Sequence, residues 1–201
     1  MSKPLPDAAL DQLWRLARTR RHWTDEDVPE VLIRAVYDLQ RFAPTSGNIC
    51  PGRFLFVHSK EAKDRLDKLM DEGNRKQTYS APWTCIVAYD LDFHTQMGKL
   101  APHMKDPART FADEKNREFL AFQNGSLGGA YLIMAIRALG LDAGPMNGFD
   151  RDGINREFFI GDPKMNTWRV NFVCNIGHAD PNETLRPRAA RLDFDEAAGI
   201  I

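Results

Sequence analysis

The chain has little cysteine, no long uninterrupted apolar run and no excess of charge of either sign. Three cysteines (Cys50, Cys85, Cys174) in 201 residues, far apart in sequence and never as CxxC, make neither a disulfide framework nor a cysteine zinc site. The N-terminal stretch MSKPLPDAALDQLW holds no apolar signal-peptide core. The longest apolar stretch is interrupted by Arg137 and reads as too short to span a bilayer. With 27 Lys+Arg against 28 Asp+Glu and a formal net charge of −1, nucleic acid and anionic membrane are not expected partners. A soluble, cytoplasmic protein in a reducing setting is expected. The near-zero charge leaves room for self-association. Catalytic signatures are also missing. There is no GxGxxG or GxxxxGK[ST] for a nucleotide, no HExxH among the five histidines, and no GxSxG nucleophile turn.

What is present is ordinary globular material, 43% apolar and 27% charged. Area scaling for this mass gives about 9,600 Å² folded against about 33,000 Å² unfolded, enough for a sizeable core in one domain spanning 1–201. Leu10, Leu13, Trp14 and Ala17 fall at helical spacing within Asp7–Arg18. Thr24 to Asp27 reads as a capping arrangement for a second helix, with Val28, Leu32, Ala35, Val36, Leu39 and Phe42 on one side and Pro44 as its stop. Arg53–His58, Thr84–Tyr89 and Trp168–His178 read as strands, the second buried on both faces. A fourth short strand opens Leu141–Asp150. Ser59 caps a helix carrying Ala62, Leu66, Leu69 and Met70, and a further short helix covers Asp152–Phe159. The polar, aperiodic stretch Asp92–Ala108 reads as an excursion or lid. Ser126–Leu141 is apolar nearly all round and must be covered on all sides, by its own domain or by a second subunit. The sum is an α+β layer: one sheet, mostly antiparallel or mixed, packed by helices.

Four features could carry chemistry, each with a plainer reading beside it. Arg18/Arg20/Arg21 and Arg186/Arg188/Arg191 lie at opposite ends of the chain; brought together they would hold a phosphate, apart they are solvated surface. The loop Pro44-Thr45-Ser46-Gly47-Asn48 either hydrogen-bonds a polar ligand or satisfies its own backbone as a turn. The loop Gly144–Gly148 either offers bare backbone N–H groups to a flat ligand or is an ordinary turn. Cys50 reads as a small filler or a reactive thiol.

Together these pieces resemble the FMN-dependent nitroreductase family. Arg18-Thr19-Arg20-Arg21-His22-Trp23 is similar to the family's N-terminal R-S-x-R-x-F. Ala43-Pro44-Thr45-Ser46-Gly47-Asn48 is similar to A-P-S-x-x-N. Ala138–Met146 is similar to the helix-then-GLG segment. Ile176-Gly177-His178, followed by Arg188 and Arg191, is similar to the closing I-G-[YH] and its basic residues. The match spans essentially the whole chain. It implies a nitroreductase-like fold, an intertwined homodimer with FMN at the subunit interface, and ping-pong reduction by NADH or NADPH. Flavin N5 then carries the hydride, and no protein side chain is catalytic in its own right. It further implies Arg18, Thr19 and Arg21 at the flavin's polar edge and phosphate, with Arg188 and Arg191 closing the phosphate. Ser46 and Asn48 would bond the ring or ribityl chain, Asn74 and Gln77 would add further flavin contacts, and Pro145, Met146 and Asn147 would cover the N5 side. The common N-x-Q-P-W is replaced here by Asn48-Ile49-Cys50-Pro51-Gly52-Arg53, which points away from a generic nitroaromatic acceptor. The 144–150 loop, Pro51-x-Arg53 and the tail 191–197 resemble the malonic semialdehyde reductase branch, which forms 3-hydroxypropionate. A nitroaromatic or quinone acceptor, or a flavin-binding protein without NAD(P)H turnover, are the alternatives. No metal is implied.

Overall fold

The computed structural model describes residues 3–201. The chain runs α1 (Asp7–Leu10, continued by a π-helical turn Asp11–Arg15), α2 (Glu30–Gln40), β1 (Gly52–Val57), α3 (Lys60–Asp67), α4 (Glu72–Ser80) and β2 (Trp83–Asp90). It continues through α5 (Met97–Leu100), α6 (Pro107–Thr110), α7 (Glu114–Ala138), β3 (Asp142–Met146), α8 (Arg151–Ile154, continued by a π-helical turn Asn155–Phe159), β4 (Trp168–Gly177) and α9 (Phe194–Ala197). The four strands form one sheet in the order β1-β2-β4-β3, and every neighbouring pair is antiparallel.

The central strands are buried on both faces, as the unbroken apolar run of β2 requires. One face of the sheet (Cys85, Val87, Cys174, Ile176) packs with Val36, Leu132 and Ile136 of α2 and α7. The other (Ile86, Ala88, Val170, Val173) packs with Leu66 and Ile154 of α3 and α8. Ser59 Oγ accepts from Ala62 N at 3.2 Å, the expected cap of α3. α7 is long and apolar enough to cross a membrane by length and composition, contrary to the reading that this stretch is too short. It nevertheless crosses the sheet face, and its glycines make that approach possible. A Cβ at Gly125 would lie 2.7 Å from Tyr89 Cβ, and one at Gly129 would collide with the Phe172 ring.

Four local expectations are corrected. The first helix ends at Arg15, three residues short of Arg18. The second begins at Glu30 behind Pro29, without a Thr24 cap; the Thr24 hydroxyl donates instead to the His178 carbonyl. Its buried face is Ile33, Val36 and Gln40, while Val31, Leu39 and Phe42 are exposed, because this helix is apolar on two sides and the fold covers one. The stretch 92–108 is no loose lid. Phe93, Met97 and Ala101 are fully buried and join Ile49, Phe111 and Ala121 in a third small core; its helical turns are only four residues each, too short to show a period.

Candidate functional site

The predicted site residues fall at the two edges of the sheet. At the β3 edge, Arg20 N donates to the Ala143 carbonyl (3.1 Å), laying 18–23 against β3. The absence of a side chain at Gly144 is used by the chain itself: a Cβ there would sit 2.6 Å from the Arg20 carbonyl. Trp23 Nε1 donates to the Gln77 carbonyl (3.0 Å). Gln77 Nε2 donates to Asn74 Oδ1 (2.6 Å), and Asn74 Nδ2 donates to the Gly148 carbonyl (2.9 Å). Thr78 Oγ1 touches Met146 Sδ at 3.5 Å. Asn74, Gln77, Pro145, Met146 and Asn147 therefore form one neighbourhood, with Asn147 exposed at its rim.

The arginine clusters from the two chain ends meet beside it. Arg18 Nη2 donates to the Arg186 carbonyl (2.6 Å), and Arg188 Nη2 donates to the Ala17 carbonyl (2.9 Å). They bound a cavity of about 610 Å³ lined by Arg18, Thr19, Arg137, Arg188 and Arg191, with no carboxylate in its lining. Four guanidinium groups, with Asp142 close to Arg18 and Arg137 in the adjoining cavity, suit a phosphate, which takes forked N–H donors. Arg20 stands apart from them. It faces Asp142 (3.4 Å) and the buried Glu183 (3.6 Å). Glu183 Oε1 also accepts from Arg21 N and contacts His22 Nδ1, each at 3.1 Å.

Ser46 and Asn48 lie at the opposite edge, in the loop before β1. Gly47, Asn48 and Cys50 all have positive φ (54°, 56° and 38°), a costly cluster for non-glycine residues. The loop is held by Asn124 Oδ1 accepting from Ser46 N (2.9 Å) and by Asn48 Nδ2 donating to the Leu100 carbonyl (2.8 Å). Cys50 Sγ donates to Asn48 Oδ1 (3.2 Å). At about 4.8 Å per strand, the four-stranded sheet sets the two edges roughly 14 Å apart within one chain.

Sequence reasoning missed Lys63. Its side chain is 4% exposed, and its Nζ donates to the carbonyls of Thr78 and Ala81 (2.9 Å each) and to Thr84 Oγ1 (2.6 Å). The Thr84 hydroxyl passes its hydrogen to Asn175 Oδ1 (2.8 Å), and Asn175 Nδ2 donates to the Gln77 carbonyl (3.1 Å). Burial pushes the Lys63 amine down to about 7. The available signal was its spacing, three residues before buried Leu66 on α3. Cys85 and Cys174, distant in sequence, face each other across β2 and β4 as free thiols. Burial pushes Cys174 up to about 12 and raises Cys85 as well, so both are inert. Among the described residues no cluster of His, Cys, Asp and Glu could hold a metal ion.

The fold is a layered α+β arrangement, one antiparallel sheet with helices packed on both faces, and comparison with known proteins gives its family. The sequence model of the nitroreductase family matches residues 14–178, and the chain belongs to that family. It is 48% identical over 200 residues to the protein named "Putative NADH dehydrogenase/NAD(P)H nitroreductase" of Stenotrophomonas maltophilia (strain R551-3), covering 100% of both chains. A protein of the same name from Caulobacter sp. (strain K31) is 47% identical over 197 residues, 98% of each. Among solved structures, a "putative nitroreductase in complex with FMN" from Exiguobacterium sibiricum superposes with a TM-score of 0.82 at 20% identity, covering 100% of both chains.

Proposed function

We propose that the protein is an FMN-dependent NAD(P)H oxidoreductase that reduces malonic semialdehyde to 3-hydroxypropionate. The observation that carries the flavin reading is the convergence of Arg18, Arg188 and Arg191 on one cavity free of carboxylates. The residues present fit the group: guanidinium forks for its phosphate, the Asn74–Gln77 pair for its polar ring edge, and the backbone of Pro145–Asn147 to lie over it. Bound FMN supplies a two-electron carrier between the nicotinamide and the acceptor. The net reaction is RCHO + NAD(P)H + H⁺ → RCH₂OH + NAD(P)⁺. Arg18 and Arg21 would favour the anionic charge that develops at the ring's polar edge. Thr19 would add a hydroxyl to the phosphate site.

Ser46 and Asn48 enter this reading through a second copy. Because they sit at the far edge of the sheet, one chain cannot place them with Pro145–Asn147, whereas a homodimer can. The surface supports a partner. A compact monomer of this mass exposes about 9,600 Å², and this chain exposes 12639 Å². Trp14, Leu16, Val31, Phe42 and Phe119 are each more than half exposed. One domain over 1–201 would thus be half of the working unit. A cytoplasmic location belongs to the same proposal. The names of the relatives favour a second acceptor class, nitroarenes, with the same flavin chemistry.

The test is anaerobic mixing of the FMN-loaded protein with NADH and with NADPH, then reoxidation by malonic semialdehyde or a nitroarene. Flavin bleaching followed by faster reoxidation by the semialdehyde is expected. No bleaching with either nucleotide overturns the reductase reading, and equal or faster nitroarene turnover moves the function to the second acceptor class. Arg191→Ala should raise the FMN Kd at least tenfold, while Arg186→Ala, which keeps the carbonyl that anchors Arg18, should change it less than threefold. Equal constants would contradict the phosphate assignment.

A further inference from the structure

A second cavity, of about 440 Å³, lies at the β1 edge between α2, the loop that carries Ser46 and Asn48, α5 and α7. Its lining contains Arg41, Arg53 and Lys99 and no aspartate or glutamate. The three cations are placed differently. Arg53 is fixed: its Nη1 donates to the carbonyls of Cys50 (2.9 Å) and Gly52 (3.0 Å), and its Nη2 pairs with Asp90 (2.7 Å), a buried partner. A guanidinium has five N–H donors, so two remain without a protein acceptor among the described residues. Arg41 has only a loose, exposed pair with Asp38 (3.4 Å). Lys99 has no ion-pair partner among the described residues.

A fourth group makes this a built site. Gln40 is nine-tenths buried and lines the cavity, and its Oε1 has no hydrogen-bond partner. A buried amide left open costs free energy unless a ligand completes it. Rotated half a turn, the same amide offers N–H in place of oxygen. A cationic pocket closed by an amide fits a small anion that also carries a neutral polar group.

We propose that this cavity, through Lys99, Arg53 and Gln40, is the recognition site for the carboxylate of a short-chain acid whose carbonyl group is reduced. This rests on the reductase reading, in which the neighbouring Ser46 and Asn48 face the flavin of the other subunit. It makes acceptor choice a matter of charge: a neutral aldehyde of equal length lacks the group that Lys99 and Arg53 hold. Gln40 orients the anion, and Tyr37 and Tyr131 also line the cavity.

Two readouts on the FMN-loaded protein test it. The first compares kcat/KM for malonic semialdehyde and propanal in wild type, Lys99→Met and Lys99→Arg. Lys99→Met should lose about tenfold on the semialdehyde and less than twofold on propanal, with Lys99→Arg restoring most of the loss, as expected for a charge-assisted contact. Lys164→Met, the same charge change outside the cavity, should leave both values unchanged. The second is calorimetric titration with 3-hydroxypropanoate, which needs no turnover. Its Kd should rise about tenfold in Lys99→Met. Equal losses on the charged and neutral aldehydes, or an unchanged Kd, overturn the inference. Retained, Lys99-dependent binding in a protein whose flavin does not bleach upholds the anion site and removes the reductase reading, so the two failures are distinguishable.

Discussion

The two edges of the sheet are built on opposite plans. At the β3 edge most polar groups are bonded to one another before any ligand arrives, although Arg20 Nε and Glu183 Oε2 meet their partners only as loose ion pairs, at 3.4 Å to Asp142 and 3.6 Å to Arg20. A continuous chain runs from Lys63 through Thr84 and Asn175 to the Gln77 carbonyl, and from the Gln77 side chain through Asn74 to Gly148. At the β1 edge the loop is strained at Asn48 and Cys50, the Gln40 amide oxygen has no partner among the described residues, and Val31, Tyr37 and Leu39 of α2 face outward. The contrast teaches a division of labour. The first edge is a finished platform, on which a ligand can be oriented without reorganisation. The second is an open half-site, whose strained backbone and unpartnered amide are what the proposed second subunit and ligand would complete.

The strongest way to break this contrast is to cut the platform at its root. Lys63→Met removes the donor shared by Thr78, Ala81 and Thr84 and leaves three buried acceptors open, a loss of about 3 kcal/mol. For a chain of this length that is a fall in Tm of roughly 6–12 °C, measured by thermal unfolding of the apoprotein at pH 7. The pH dependence identifies the cause. Unfolded, a lysine amine titrates near 10.4; folded, Lys63 titrates at about 7. Between those values the unfolded chain holds a proton that the folded chain has released. Wild-type stability should therefore rise relative to Lys63→Met from pH 7 to about 10.4, by at most about 1.4 kcal/mol per unit, and the difference should be flat below pH 7. A flat difference across the whole window would mean that the three acceptors keep Lys63 charged in the folded state.

The platform was only partly legible in the sequence. Strands and the α3 cap were, because they rest on local alternation and on a single hydroxyl at Ser59. The convergence of Arg18 with Arg188 and Arg191 could be suspected from paired basic clusters, but composition alone could not distinguish it from solvated surface. Lys63 and Glu183 were not legible, since a buried charge leaves no periodic trace unless its neighbours' faces are already known. The short turns of 92–108 hid a small core for the same reason: four residues do not complete enough of a helical period to show which side is apolar. α2 erred in the other direction. Apolar residues of the helix and its flanks occupy two faces: Val28, Leu32 and Val36 pack in the core as the periodicity implies, whereas Leu39 and Phe42 are exposed.

A middle-sized effect is expected where the half-site is tied down. Asn48→Ala removes the bond to the Leu100 carbonyl and the acceptor for Cys50 Sγ, and it puts alanine at φ 56°, where asparagine is better tolerated. A loss of about 1–2 kcal/mol is expected by chemical denaturation, smaller than that of Lys63→Met. A loss equal to or larger than the lysine's would show that the loop is as integral to the fold as the platform, and would erase the distinction between the edges.

The smallest expected effect has the opposite sign and tests the strain itself. Cys50 holds φ at 38°, a region that costs a side chain about 1 kcal/mol and glycine almost nothing. Its thiol returns little for this. The contact with Asn48 Oδ1 is a weak S–H bond at 3.2 Å, and that with Thr45 Oγ1 is longer, at 3.7 Å. Cys50→Gly should therefore stabilise the apoprotein by about 0.5 kcal/mol, a rise in Tm of roughly 1–2 °C, although the glycine also frees the unfolded chain. The same substitution at a satisfied position of the platform would only destabilise. A fall in Tm on Cys50→Gly would mean that the thiol contacts outweigh the backbone cost, and the loop would then belong with the finished edge of the sheet.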